Sequence, residues 1–267
     1  MLKDVEGVLI DLDGTIFNGD ELIPGAIQAI SYIRSLNKKI MFLSNRGNYS
    51  REMCFEKLTR LGVEVLYEEI ILSSTVTAMY LQEYYPKCSV WTLGDVGLKE
   101  ELEGSGVKLA SAPEEADFLV ITLHENLSYY ELNRAFQAVQ HGARILATNS
   151  DKTFPNENGK SIDVAGMIGA IEAATGKRTE LVFGKPSHFM VEAALRQLAL
   201  NANQCMIIGD SLGSDIEMGK MHGMKTLLVL SGNTSRKQLE FILESNNPDY
   251  VCDSINEIIN EKMEVQQ

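Results

Sequence analysis

Short, unbroken apolar runs alternate with amphipathic stretches along most of this chain, and that alternation constrains its fold more than any other feature. "VEGVLID", "KIMFLSN", "ELVFGK", "CMIIGD", "KTLLVLSG" and "DYVCD" carry no polar–apolar alternation, so each reads as a strand covered on both faces. Between them lie helical patterns: "PGAIQAISYIRSL" with Pro24 suited to the first turn, "SREMCFEKLTRLG" with Ser50 as cap and Gly62 as stop, "SHFMVEAALRQLAL" and "SDIEMGKMHG". Strands of this kind joined by helices predict an α/β fold with a doubly wound parallel sheet. At 267 residues the chain can form one large domain or two modest ones.

Four of the runs end in chemistry. "VLIDLDGTIF" closes on Asp11 and Asp13, followed by Gly14 and Thr15, and two carboxylates so close repel unless something positive gathers them. The other ends carry Ser44–Asn45, Gly184–Lys185 and Gly209–Asp215. Ligands of open parallel sheets bind beyond the carboxyl ends of the strands, so the four loops are expected on one edge. Asp11, Asp13 and Asp210 supply hard oxygens that suit Mg2+. Lys185 supplies a cation and Ser44 a hydroxyl donor, the ingredients of phosphoryl transfer. Each element alone has a plainer reading. "DxDG" also makes turns, "GKPS" also makes solvated loops, and "GDSLGSD" also caps helices; their joint order carries the argument.

A net charge of −13 argues against non-specific binding to nucleic acid or an anionic membrane. Cys54, Cys88, Cys205 and Cys252 are scattered, which predicts buried reduced thiols and a cytoplasmic setting. The start "MLKDVEGVLID" has neither a signal-peptide core nor a membrane-length apolar run. Neither GxxxxGK[ST] nor GxGxxG stands in a strand–helix turn, which disfavours a nucleotide-binding protein.

"DLDGT", "FLSN", "GKPS" and "GDSLGSD" together resemble the four motifs of the haloacid dehalogenase superfamily of phosphatases, over essentially the whole chain. "LIPGA", "ATNSDKTFP" and "VLSG" are similar to its NagD-like branch, which includes p-nitrophenylphosphatases and phosphoglycolate phosphatases. "MFLSNRGN", "IDVAGMIGAIE" and "CMIIGDS" look like the sugar-phosphate phosphatases of bacilli. The resemblance implies Asp11 as nucleophile, Asp13 as general acid/base, and Mg2+ held by the carboxylates of Asp11 and Asp210 and the backbone carbonyl of Asp13. It implies Ser44 and the Asn45 backbone on the phosphoryl oxygens, Lys185 bridging nucleophile and phosphate, and Asp215 behind the metal. Arg46 departs from the Asn or Tyr often found there; it is a candidate substrate contact or a solvated side chain.

Between Asp11 and Ser44 there is room for one helix and a strand, whereas Ser44 to Lys185 far exceeds a crossover. The surplus predicts an inserted α/β cap at 85–179 and a core of residues 1–84 and 180–267; the resemblance implies that these are a HAD-like core and a cap of the C2 type. In the resembled branch such a cap covers the active edge and selects substrate. The Asn149–Ser161 stretch is read as the longest loop and a candidate specificity element, with Asn149, Asp151 and Phe154 as contacts. His124 and His141 read as ordinary surface or helix-end residues, Met218, Met221 and Met224 as packing, and Trp91 as cap core. The expected function is Mg2+-dependent hydrolysis of small phosphomonoesters, sugar phosphates with broad specificity, through an aspartyl-phosphate. The alternatives are an aryl-phosphate or phosphoglycolate phosphatase of the same design, and a catalytically idle sugar-phosphate-binding regulator. A small phosphorylated metabolite is the expected partner, and a homodimer through the cap is an option that the branch suggests.

Overall fold

The computed structural model describes residues 1–156, 159–239, 247–260 and 264–265. Its larger sheet has seven strands in the order Glu264–Val265, Tyr250–Cys252, Lys225–Val229, Cys205–Gly209, Gly7–Asp11, Lys39–Ser44 and Ile70–Leu72. Gly7–Asp11 pairs in parallel with Cys205–Gly209 on one side and Lys39–Ser44 on the other. Lys225–Val229 and Tyr250–Cys252 continue the parallel run, and Glu264–Val265 closes it antiparallel. Every residue of Gly7–Asp11 and Cys205–Gly209 is buried, as unbroken apolar runs require. The chain order reverses about Gly7–Asp11. That reversal creates the crevice where open α/β sheets take their ligands.

Local signals explain the helices that flank these strands. Ser50 Oγ accepts the Met53 N–H at 3.2 Å at the start of Arg51–Arg60. Ser187 Oγ accepts the Phe189 N–H at 3.2 Å to open His188–Leu198. The first helix, Ala26–Ser35, begins two residues beyond Pro24, because Gly25 takes the cap position with φ 82°. Met218 and Met224 pack inside, whereas Met221 is exposed, contrary to the reading of all three as packing residues.

Two compact units result: Met1–Ser44, Phe55–Ile71 and Lys185–Gln267 form one, and Asn45–Cys54 with Leu72–Gly184 form the other. The expected boundaries at residues 85 and 179 fall within the second unit. The reason is local: Ser73 and Ser74, opening the helix Ser73–Tyr84, donate their hydroxyls to the Asn45 and Tyr49 carbonyls, so helix and loop travel together.

The second unit carries a parallel sheet ordered Leu181–Val182, Arg144–Ala147, Phe118–Ile121, Ser89–Leu93, Lys108–Leu109. Leu119, Ile121, Ala135, Ile145, Val164 and Ile171 anchor its apolar core, with Trp91 packed against them. Ser128 and Glu131 form a reciprocal cap on Tyr129–Gln140. The Ser128 hydroxyl and N–H, with His124, hold the Glu131 carboxyl down at about 2. His124 also lies 3.1 Å from Asp95, so it is more engaged than an ordinary surface histidine; His141 caps the helix end.

The stretch read as a long loop is instead an antiparallel hairpin, Thr153–Asn156 against Gly159–Ile162. A free two-stranded ribbon tolerates Pro155 and needs no buried face, so its sequence reads as coil. Glu157 and Asn158 of that stretch lie outside the described residues. No helix among the described residues is long and apolar enough to cross a membrane.

None of the four cysteines is in a disulfide among the described residues; Cys54, Cys205 and Cys252 are buried and Cys88 is partly so. Burial, reinforced by Glu257 and Asp253, pushes the Cys252 thiol up to about 12. Burial, with Glu6, pushes Cys205 up to about 11. A thiol reagent at mildly alkaline pH is therefore expected to modify Cys88 at most, with Cys54, Cys205 and Cys252 reacting only after denaturant; a colorimetric thiol count checks this.

Candidate active site

Three adjacent strands end level with one another, Asp11 opposite Leu43 and Ile10 opposite Ile208. Asp11 is the last residue of its strand and is buried. Thr15 Oγ1 donates to its Oδ2 at 3.1 Å, and Lys185 Nζ donates to its Oδ1. The same ammonium donates to Asp215 Oδ1 at 2.7 Å, while the Ser211 N–H holds Asp215 Oδ2 at 3.1 Å. Asp210, directly after Cys205–Gly209, accepts the Asn233 N–H on Oδ2 at 2.5 Å and the Thr234 N–H on its own carbonyl at 3.1 Å.

Backbone proximity is what makes the cluster possible. A Cβ at Gly209 would run into Asp215, which tucks beneath that strand end from the π-helical turn Leu212–Ile216. Gly14 has φ +80° and leaves no room for a side chain beside the Asp210 carboxylate. Gly14→Ala is expected to cost about 1–3 kcal/mol through left-handed strain alone, and to push on Asp210 besides. Denaturant unfolding of the variant against wild type checks this.

Burial dominates the electrostatics. It raises the Asp11 carboxyl well above the ordinary range, with the Asp215 and Asp210 charges adding to it, against the lowering pull of Lys185. Asp210 rises to about 7, through burial first and then Asp215, although the Asn233 N–H opposes this. Burial alone would lower Lys185, but Asp11 and Asp215 raise it above the usual lysine range, so it stays an ammonium. One cation therefore faces three buried carboxylates. The ligand oxygens of Asp11, Asp210 and Asp215 lie within 4.8 Å of one another. An all-oxygen donor set, buried where its charged form needs a further cation beside it, fits a hard divalent ion.

Of the residues expected from sequence, Asp11, Asp210, Asp215 and Lys185 are brought together here. Asp13 is half-buried two residues beyond Asp11, and Ser44 is buried at the end of the neighbouring strand. The expected route for Lys185 needs correcting. Its preceding strand, Leu181–Val182, is the edge of the smaller sheet, paired with Leu146 and Ala147, so only three of the four loops leave the large sheet. In the second unit, Asn45 bonds to Asp151, and the Arg46 guanidinium lies 5.0 Å from the Tyr49 ring centroid. Sequence reading assigned no role to Thr15, Ser231 or Asn233. Ser231 Oγ donates to the Gly14 carbonyl at 2.6 Å, so the loop after Lys225–Val229 braces both Gly14 and Asp210. The polar run "SGNTS" directly after a strand was the available signal.

A doubly wound sheet with a lysine-balanced carboxylate cluster at its switch point is an architecture built to take a small ligand and a cation beyond its strand ends. A family profile described as haloacid dehalogenase-like hydrolase matches residues 8–108, and a second, HAD-hydrolase-like, matches 182–258. The chain belongs to the haloacid dehalogenase-like hydrolases, in their NagD-like phosphatase branch. It is 58% identical over 252 residues to the sugar-phosphatase AraL of Bacillus subtilis, covering 94% of this chain and 91% of that one. Among solved structures, it matches a p-nitrophenyl phosphatase from Archaeoglobus fulgidus with a TM-score of 0.90 and 34% identity, over 97% of this chain and 99% of that one. A glycerol phosphate phosphatase from Mycobacterium tuberculosis, solved in complex with magnesium, matches at 0.86 and 27% identity, over 96% of this chain and 77% of that one.

Proposed function

We propose that this phosphatase hydrolyses small sugar phosphates, with broad specificity and with Mg2+, through an aspartyl-phosphate on Asp11. The observation that carries the reading is the buried Lys185 ammonium shared by Asp11 and Asp215, with Asp210 at the adjoining strand end.

An Asp11 carboxylate oxygen forms the bond to phosphorus as the ester P–O bond breaks. Asp13 gives its proton to the leaving alkoxide; as a carboxylate it then takes one from water, whose oxygen attacks phosphorus and frees inorganic phosphate and Asp11. Asp13 follows Asp11 by two residues, just past the strand end, which keeps both carboxyl groups within one loop for one phosphorus centre. Lys185 offsets charge on the transferring group, and Asp215 fixes the direction of its ammonium. Ser44 holds a phosphoryl oxygen with the backbone at Asn45, and Arg46, steadied on Tyr49, is a substrate contact. Mg2+, held by Asp11, Asp210 and the Asp13 backbone carbonyl, would neutralise charge on the phosphoryl oxygens. The unit containing 85–179 acts as the substrate-selecting cap on the core of 1–84 and 180–267. A homodimer through it is the proposed assembly.

Initial rates on sugar phosphates, p-nitrophenyl phosphate and phosphoglycolate test this. Hydrolysis of several sugar phosphates, lost on adding a chelator and restored by Mg2+, is expected. A strong preference for phosphoglycolate supports the alternative enzyme; tight binding without turnover contradicts catalysis.

A further inference from the structure

Asn149 and Asp151 read, from sequence, as substrate contacts, but both are engaged elsewhere. Asn149, only 4% exposed, donates its Nδ2 to the Asn45 carbonyl at 2.8 Å and accepts the Asp151 N–H on Oδ1 at 3.0 Å. Asp151 Oδ2 in turn accepts Asn45 Nδ2 at 2.9 Å. Asn45, Asn149 and Asp151 thus close a ring of three hydrogen bonds, in which each amide orientation is dictated by its neighbours. Two further donors converge on the same Asn45 carbonyl, the Gly47 N–H at 2.8 Å and the Ser73 hydroxyl at 2.9 Å.

A carbonyl has two lone pairs, so three donors hold the peptide plane between Asn45 and Arg46 far more firmly than an ordinary turn does. The far side of the ring is equally fixed. Thr148 accepts the Gly184 N–H on its carbonyl at 2.6 Å and donates its hydroxyl to Thr122 at 2.8 Å. Asn45 is joined to Ser44 by a peptide bond, so whatever fixes its backbone fixes the group that follows the proposed phosphate-binding hydroxyl.

We infer that Asn149, aided by Ser73, is a positioning residue that sets the backbone at Asn45 for the phosphoryl group, rather than a contact that chooses among substrates. The inference rests on the reading of Ser44 and Asn45 as the phosphate-holding segment. Its consequence is distinctive, because the phosphoryl group is common to every substrate. Loss of the Asn149 donor must weaken all substrates, and inorganic phosphate, by one factor.

The test is kcat/KM for p-nitrophenyl phosphate and two sugar phosphates, with the inhibition constant of inorganic phosphate, in Asn149→Ala, Asn149→Asp and Ser73→Ala full-length enzyme. Asn149→Asp keeps an acceptor for the Asp151 N–H but sets an oxygen against the Asn45 carbonyl, so it loses more than Asn149→Ala. The expected result is a loss of about three- to tenfold for Asn149→Ala, equal across substrates, with phosphate inhibition weakened alongside. Ser73→Ala moves the same way by less. A loss confined to the sugar phosphates, or an unchanged phosphate inhibition constant, overturns the inference. Should the Asn149 variants fail to fold, Ser73→Ala decides, and unaltered phosphate inhibition in it is contrary. Ser44→Ala separates the layers: if it leaves phosphate inhibition unchanged, the underlying reading falls and takes the inference with it. If it weakens phosphate while the Asn149 variants do not, the inference falls alone.

Discussion

Asp11→Asn is expected to cut turnover by at least about three orders of magnitude while the protein still folds, because the amide cannot take the phosphoryl group. Shape is conserved, the Thr15 hydroxyl keeps a partner, and Lys185 keeps Asp215 as a counter-charge. Removing the Asp11 charge also removes its repulsion with Asp210 and Asp215. Circular dichroism should therefore show a natively folded protein, and its denaturant midpoint, like that of Asp215→Asn, is expected between wild type and Lys185→Met because one of the two Lys185 ion pairs remains. Product formation with p-nitrophenyl phosphate gives the rate. An Asp11→Asn enzyme with more than a few per cent of normal activity would remove Asp11 as nucleophile.

Lys185→Met is expected to damage stability as well as catalysis. The ammonium is buried and bonded to both Asp11 and Asp215, and taking one partner from a buried ion pair costs about 3–5 kcal/mol. Met keeps an unbranched stem out to the Cε position, so most of the packing is retained while the charge is lost. The variant should unfold at markedly lower denaturant, and added Mg2+ should recover part of the loss by taking over the neutralisation of the carboxylates. Asp215→Asn, which weakens one of the two ion pairs and leaves the other, should fall between wild type and Lys185→Met. Unfolding midpoints with and without Mg2+ settle the order.

Much of this was legible in the chain because burial and chemistry left separable marks. The runs at residues 8–10, 40–43 and 205–208 are apolar without interruption, and they lead into Asp11, Ser44 and, after Gly209, Asp210 at the same sheet edge. Lys185 was found for a partly mistaken reason. "LV" in "ELVFGK" does form a strand, but two apolar residues cannot announce which sheet they join, and they joined the smaller one. The braces at Asn233 and Thr234 were invisible because their donors are backbone N–H groups, which every residue but proline offers. The hairpin at Thr153–Ile162 escaped because exposed pairing leaves no hydrophobic period to detect. Asn149 drew attention by its polarity, yet its partners come from Asn45 and Asp151, one of them distant in sequence.

The most direct measurement is to mix enzyme and Mg2+ with a phosphoryl-labelled substrate, quench in acid within one turnover, and locate the label by peptide mass spectrometry. Label on the peptide carrying Asp11, absent from the Asp11→Asn enzyme, is the predicted result. Rapid product release with no label on any carboxylate, or label retained in Asp11→Asn, would contradict covalent transfer to Asp11.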